Sequence, residues 1–597
     1  MKKIFTLLLL ACSTGAIAQK LDTLTIEKIM RDPKWIGVSP SDIHWSDDSK
    51  SVLFNWNPDK TGADELFAVN PDNPTPHKVT LTDKKNLPGS GSWNKKHTQK
   101  VYEKNGDLFL EDIQRAHTVQ LTHTEQPESA PVFSGDESKI IFTQGHNLFA
   151  LKLNSSGLEQ LTNFVKAKTK KGTEVLNVQE QWLKKQQLEL FDIVKKESGQ
   201  EKQDSAENAA LQPRQLKELV FGDKRVSRVK ISPDERFVTY RLTKPADDVK
   251  NGIVPNYVTA SGFTEDIPNR SKVGRASATS ETFIYDRQRD SVYRVVTSDL
   301  PGIKDLPDYV KDYPKEQEAL KKQNADRQVT IEGVLWSENG ANAVVVISAQ
   351  DNKDRWIIKL NPETGKLSLL DRQRDEAWIG GPGIENSATG NVGFIDNDHF
   401  YYQSEVSGYS HLYVVDVNTG IKKQLTHGKW EVQTLQLSND KKKLYFTANI
   451  DHPGETSFYT IPVNGGPPVK ITGMKGGNEV TLSPDEKWLA IRYSYSNKPW
   501  DLYIQANKPG AKAVQVTNSV SAEYLSYPWR APEIITFKNR YGSDVYARIY
   551  PAKKADPARP AVIFVHGAGY LQEVTYSWSY YFREFMFNNM LADNGYT

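Results

Sequence analysis

Between Leu66 and Thr517 the chain repeats one pattern eight times. An aromatic or aliphatic pair opens a short strand, a turn follows, and a second strand closes near Leu-Thr. The first copy, LFAVNPDNPTPHKVTLT, begins at Leu66. Others begin at Leu108, Leu148, Phe283, Trp356, Leu412, Phe458 and Leu502. A second unit precedes most copies: a turn and then an alternating strand, as in ISPDERFVTYRL from Ile231 and LSPDEKWLAIRY from Leu482. Proline fixes φ in such a turn, and aspartate can bond the amides that follow. Alternation of apolar and polar residues is what a half-buried strand requires. Turn, strand, strand and Leu-Thr at spacings of roughly forty to fifty residues predict a mainly β chain, a β-propeller in which each pair of units makes one four-stranded blade. A lone blade cannot bury both faces, so blades must stack on one another. Eight copies predict eight blades. Seven with one divergent segment is the alternative count, and an array of β-sandwiches the alternative architecture.

Two insertions break the spacing. Residues 163–222 contain a helical pattern with Val178, Trp182, Leu183, Leu188, Leu190 and Phe191 apolar. The polar tract from Ser198 to Pro213 is expected to be mobile. Residues 298–330 hold a second predicted helix, in LPDYVKDYPKEQEALKKQNADRQ. Insertions of this kind project from one rim of a propeller, where they can cover a site or meet a partner.

The repeat stops near Thr517 and the pattern changes. Ile534–Asn539 and Val545–Tyr550 read as two strands around the turn RYGSD. AVIFVHG, from Ala561, is a continuous apolar run, expected for a strand covered on both faces. YFREFMFNNMLADNGYT predicts an amphipathic helix ending at Gly595. Hairpin, loop, buried strand, glycine turn and helix is the order in which an α/β-hydrolase domain starts. In that fold the nucleophilic serine follows later, in a G-x-S-x-G turn. The chain contains no such turn; Gly408-Tyr409-Ser410 lacks the second glycine and lies inside a repeat. A domain of that kind needs on the order of 200 residues. The expected organisation is therefore a signal segment (1–18), a propeller (19–520) and the truncated, N-terminal part of a hydrolase domain (521–597).

The first residues, MKKIFTLLLLACSTGAIAQ, have the form of a secretory signal. Lys2 and Lys3 form the basic region, Ile4–Ala11 the apolar one, and Ala16-Ile17-Ala18 the cleavage site. The run is too short to span a membrane. An exported protein, periplasmic or secreted, is expected, with a lipid anchor on Cys12 as the alternative reading of LLAC. Cys12 is the single cysteine of 597 residues, so cleavage leaves no thiol for disulfides, catalysis or zinc. The formal charge is +2 with no basic stripe, which argues against a nucleic-acid partner. The histidines show no metal-binding spacing, so neither a metal nor a cofactor is assigned.

From Tyr401 the sequence YYQSEVSGYSHLYVVDVNTGIKKQLTHGKWEV resembles the propeller of dipeptidyl peptidase IV-type enzymes. The resemblance rests on Ser404-Glu405, Gly408-Tyr409, His411-Leu412-Tyr413, Gln424-Leu425-Thr426 and Gly428–Val432. With the repeats and the hydrolase start it implies the prolyl oligopeptidase family of serine peptidases. That resemblance implies hydrolysis of short peptides by a Ser-His-Asp triad, with a propeller that filters substrates and triad residues lying beyond Thr597. It also implies an oxyanion hole at VHGAG, formed by backbone amides of Gly567 or Ala568. Dipeptidyl members place a tyrosine where this chain has His566, which leaves Tyr570 as the substitute hydroxyl. Those members also use an adjacent glutamate pair on a propeller helix to hold the substrate amine. Here the helix offers Glu180 and Glu189, about 13.5 Å apart along an ideal helix, so dipeptidyl, acylaminoacyl and endopeptidase specificities all stay open. Arg270 and Lys272, in the polar-aromatic stretch from Asn256, are candidates to bind a peptide carboxylate. A second copy of the chain is a further candidate partner. Two other readings of the whole are a non-enzymatic binding propeller and an esterase on the same scaffold; the hydrolase start disfavours the first.

Overall fold

The computed structural model describes residues 23–597 except 156, 168–176, 212–214, 248, 386–387, 555 and 568–571. The signal segment and Cys12 lie outside the described residues. The described residues form eight four-stranded sheets with strands in chain order, an eight-bladed β-propeller arrangement. We number the blades 1 (residues 41–78), 2 (91–120), 3 (128–160), 4 (225–294), 5 (329–374), 6 (393–424), 7 (432–470) and 8 (477–515).

Two local devices explain why the repeat is legible. The first closes the turn between strands one and two of a blade. In blade 8, Ser483 Oγ donates to Asp485 Oδ1 (2.7 Å) and accepts from Trp488 N (3.0 Å), and Asp485 Oδ1 accepts from Lys487 N (3.1 Å). Glu486 takes φ +60° to complete the turn. The same bonds recur at Ser134, Ser232 and Ser438. The second device is the threonine of Leu-Thr. Its hydroxyl accepts the amide that opens the third strand: Leu108 to Thr122 (2.8 Å), Leu148 to Thr162 (2.9 Å), Leu412 to Thr426 (3.0 Å) and Phe458 to Thr472 (2.9 Å). A buried amide at the sheet end is thereby satisfied without a fifth strand.

The chain divides into two compact units. One holds residues up to 84, 446–460 and 468–597; the other holds 85–445 and 461–467. In the first unit blades 1 and 8 share a core of Trp45, Phe54, Trp56, Ala490 and Leu502. Trp45 Nε1 donates to Thr481 O (2.9 Å) across that seam. Residues 24–36 pack with the segment after the propeller, where Ile29 and Trp35 join Tyr524, Tyr550, Trp578 and Phe585 in one cluster. Ser521 N donates to Ile36 O (2.8 Å) beside Gly37. A Cβ on Gly37, at φ +126°, would lie 1.8 Å from Ser519 O, so only glycine fits. The predicted hairpin is present as Glu533–Lys538 paired with Asp544–Ile549, and the predicted terminal helix as Phe582–Asp593.

In the second unit, core clusters join blades 2 and 3, 3 and 4, 4 and 5, and 5 and 6. Strand Ala343–Ala349 of blade 5 is buried along its whole length. The first insertion forms two helices, Val178–Leu190 and Asp192–Leu211. The second helix corrects the expectation of a mobile tract after Ser198: Glu, Lys, Gln and Ala are strong helix formers, and summed propensity outweighs the lack of apolar residues. The second insertion contains the predicted helix, Pro314–Gln323.

Candidate functional site

Strand direction alternates within each blade, so the blade has two functional edges. The Ser-x-Asp turns lie at one edge. Turns between strands two and three, and the links to the next blade, lie at the other. In the second unit every insertion leaves by that other edge: the paired helices, the hairpin Asn251–Asn256/Glu265–Ser271, residues 298–328, the loop 375–391 and the turn after Ser404.

A cavity of about 280 Å³ opens between the inner strands of blades 4 and 5. Two bulges build it. In blade 4 the register slips between Ser227 and Lys230, and Arg228 takes φ +52°. In blade 5 it slips between Ile331 and Gly333. A bulge takes a residue out of the ladder and re-aims its side chain. Arg228 and Glu332 are aimed at each other, with Nη2 3.4 Å from Oε2. Glu332 is 4% exposed; burial pushes its carboxyl above the usual range, against the pull of Arg228 and Arg241. Burial, with repulsion from Arg228, lowers the Arg241 guanidinium. Tyr240 lines the floor, its hydroxyl pushed up to about 12 by burial. Gly333 leaves room for Thr389, since a Cβ there would sit 2.7 Å from Thr389 Cγ2.

Thr389 belongs to a loop held by buried polar groups. Arg355, fully buried, donates to Thr389 O (2.8 Å) and to Gln373 Oε1 (3.0 Å). Gln403 donates to Pro382 O (3.1 Å), Ser410 Oγ (2.9 Å) and Val432 O (2.9 Å), and accepts from Asn391 (2.6 Å). Glu405 follows this network. Burial, then the charges of Glu431 and Asp375, push its carboxyl up to about 7. Burial raises Glu431 as well. Most of the Tyr401–Val432 motif is structural. His411 Nδ1 pairs with Thr426 Oγ1 (3.0 Å), its Nε2 with Gly428 O (3.0 Å), and its ring meets Trp430 edge-on at 4.8 Å.

In the first unit the loop after strand two of blade 7 grips the segment after the propeller. His452 lies edge-on to Tyr546 and Tyr576, at 5.3 and 5.1 Å. Lys475 Nζ stands 4.3 Å from the Tyr576 ring centre, and Tyr576 N donates to Gly454 O (2.8 Å). A Cβ on Gly454 would be 2.5 Å from Val574 O. Burial holds His452 below the ordinary histidine range.

The predicted site residues divide as follows. His566 and Gly567 are described; His566 Nδ1 pairs with Gly567 O (2.9 Å). Ala568 and Tyr570 lie outside the described residues. The run Ala561–Gly567 is not a strand, which corrects the expectation of one covered on both faces. Ile563 is 83% exposed and Val565 80%. A strand buried on both faces takes its bonds from flanking strands; among the described residues the backbone of this run bonds outside the run only to Thr597 (Val562 N to Thr597 O, 2.9 Å). Glu180 is the third residue of helix Val178–Leu190 and closes a capping box with Asn177, accepting from Asn177 N (2.8 Å). Glu189 is exposed and pairs with Lys185 (3.8 Å). Arg270 and Lys272 are exposed on the two-stranded arm of blade 4, away from the cavity lining. Arg228, Arg241 and Glu332 were not singled out from sequence, and Glu405 was named only as part of the Tyr401–Val432 resemblance. The Gly after Glu332 in a strand pattern was the available bulge signal.

An eight-bladed propeller with insertions at one edge and a hairpin–helix segment after it defines the class. Residues 224–500 match the family model described as the dipeptidyl peptidase IV N-terminal region. Dipeptidyl peptidase 4 of Trichophyton rubrum is 24% identical over 376 residues, 61% of this chain and 45% of that protein. The Trichophyton equinum protein of the same name is 23% identical over the same share. The crystal structure of Porphyromonas gingivalis dipeptidyl peptidase 4 has the same fold, with a TM-score of 0.55 at 15% identity, covering 96% of this chain and 73% of that one. That of a putative dipeptidyl aminopeptidase IV from Bacteroides ovatus gives 0.53, also at 15% identity, over 94% and 71%. The chain thus carries a dipeptidyl peptidase IV-type propeller, and it spans about half the length of the curated relatives it matches.

Proposed function

We propose that the chain is the N-terminal portion of an exported serine peptidase that hydrolyses short peptides. The observation that carries the reading is the order of parts: a dipeptidyl peptidase IV-type propeller, then a hairpin, the apolar sequence from Ala561 to Val565, and a helix. In the complete protein a serine attacks the peptide carbonyl, a histidine moves the proton, and an acid orients the histidine. A backbone amide of Gly567 or Ala568 serves the oxyanion, with the Tyr570 hydroxyl as the substitute for the family tyrosine that His566 replaces. The propeller admits and orients the peptide. No G-x-S-x-G turn occurs within the 597 residues, so on this reading a serine-directed probe should not label them.

Reading the coding sequence past Thr597 should show G-x-S-x-G within roughly 80–120 residues. A fluorophosphonate probe should label the longer product and leave the 597-residue chain unlabelled. A stop codon or an unrelated domain after Thr597 would defeat the peptidase reading. Specific labelling of the 597-residue chain would defeat the placement of the nucleophile.

A further inference from the structure

The cavity between blades 4 and 5 holds more positive charge than the fold needs. A tie between the two bulges requires one cation and one carboxylate, and Arg228 with Glu332 supplies both. Yet Lys230 and Arg241 also line the space, which makes three cations to one carboxylate. Among the described residues Lys230 has no ion-pair partner, and Arg241 donates to the backbone carbonyl of Ile331. A guanidinium has five donors, so both arginines keep unused ones. Arg228 and Lys230 are exposed and Arg241 is half-buried, so the repulsion bears mainly on Arg241, and a carboxylate entering from solvent would relieve it. The floor is different: Tyr240, Ile331 and Val334 are 5–7% exposed and offer apolar surface to whatever enters.

We propose that this cavity binds a small carboxylate with an apolar body, its anionic group on Arg228, Lys230 and Arg241 and its body on Tyr240, Ile331 and Val334. A volume of about 280 Å³ is at the small end for ligand pockets, which suits one acylated amino acid rather than a long peptide. Guanidinium forks match carboxylates in two parallel hydrogen bonds. Glu332 works against the ligand: it occupies Arg228 and repels a second carboxylate. The assignment does not depend on peptidase chemistry.

Isothermal titration of the 597-residue chain with N-acetyl-L-leucine, its amide N-acetyl-L-leucinamide, and inorganic phosphate tests it. The acid should bind at least about tenfold more tightly than the amide, because only the acid carries the charge the cations lack. Arg241→Gln should weaken the acid by about tenfold and leave the amide unchanged. Glu332→Gln should strengthen the acid. Arg228→Gln, at an exposed position, repeats the arginine test should Arg241→Gln fold poorly. Equal binding of acid and amide, or an acid affinity that Glu332→Gln lowers or leaves unchanged, would overturn the proposal. Phosphate binding as tight as the acid would overturn the role of the apolar floor.

Discussion

Blade 5 and the run Ala561–Gly567 are both rich in β-branched residues, yet they end in opposite states. Val344, Val345, Val346 and Ile347 are fully buried, whereas Ile563 and Val565 stand in solvent. The difference is where their hydrogen bonds come from. Strand Ala343–Ala349 pairs with Val329–Trp336 and Asp354–Leu360, both within about twenty residues along the chain. Ala561–Gly567 has no strand beside it among the described residues. An antiparallel blade completes itself locally, while a strand covered on both faces depends on distant partners.

The largest effect should come from attacking the blades. Trp356 is fully buried among blades 4 and 5 and donates to Pro301 O (3.0 Å). Trp356→Ala should cost about 3–5 kcal/mol, whereas Ile563→Ala should stay within about 0.5 kcal/mol. Urea unfolding of the two variants side by side measures the contrast, and equal losses would break it. The Leu-Thr device comes next. Thr426→Val removes an acceptor for Leu412 N and the partner of His411 and should cost about 1–3 kcal/mol, read as a lower urea midpoint with the slope unchanged.

A smaller effect is a pH dependence in blade 6. The Glu405 carboxyl rises from 4.5 to about 7 on folding, so the folded state holds the proton more tightly than the unfolded state. Its contribution is fully present below about pH 4.5 and is lost as pH rises through about 7. Glu405→Gln should flatten that part of the stability profile and leave the variant more stable than the parent above pH 7. A profile that keeps its slope would show that Glu405 titrates normally. The smallest effect belongs to Glu180→Ala. Loss of the capping box should cost the helix Val178–Leu190 about 0.5–1 kcal/mol, visible as faster amide exchange in its first turn with no change in the urea midpoint.

Much of this architecture is legible in the sequence because the signals are short-range. Ser483, Asp485 and Trp488 act within six residues, and Leu412 meets Thr426 inside one hairpin pair. The eight copies therefore announce eight blades. The candidate site is less legible because it depends on register and on distant partners. Arg228 and Glu332 meet only because two strands slip by one residue, and they are 104 positions apart. Glu405 stands in a motif that reads plainly, but its raised pKa comes from burial beside Glu431 and Asp375. Glu180 reads as a ligand candidate by its place on a helix, though that place is the third residue after Asn177, where a glutamate caps. The tract after Ser198 reads as mobile by hydropathy, yet its helix propensity prevails.

Hydrogen–deuterium exchange on the 597-residue chain, resolved to peptides, tests the contrast most directly. We expect peptides spanning Ala343–Ala349 to stay protected for hours and those spanning Ile563–Gly567 to exchange within seconds. Protection of Ile563–Gly567 comparable to blade 5 would contradict the account, because it would mean that this run already has the strand neighbours we find missing beside it.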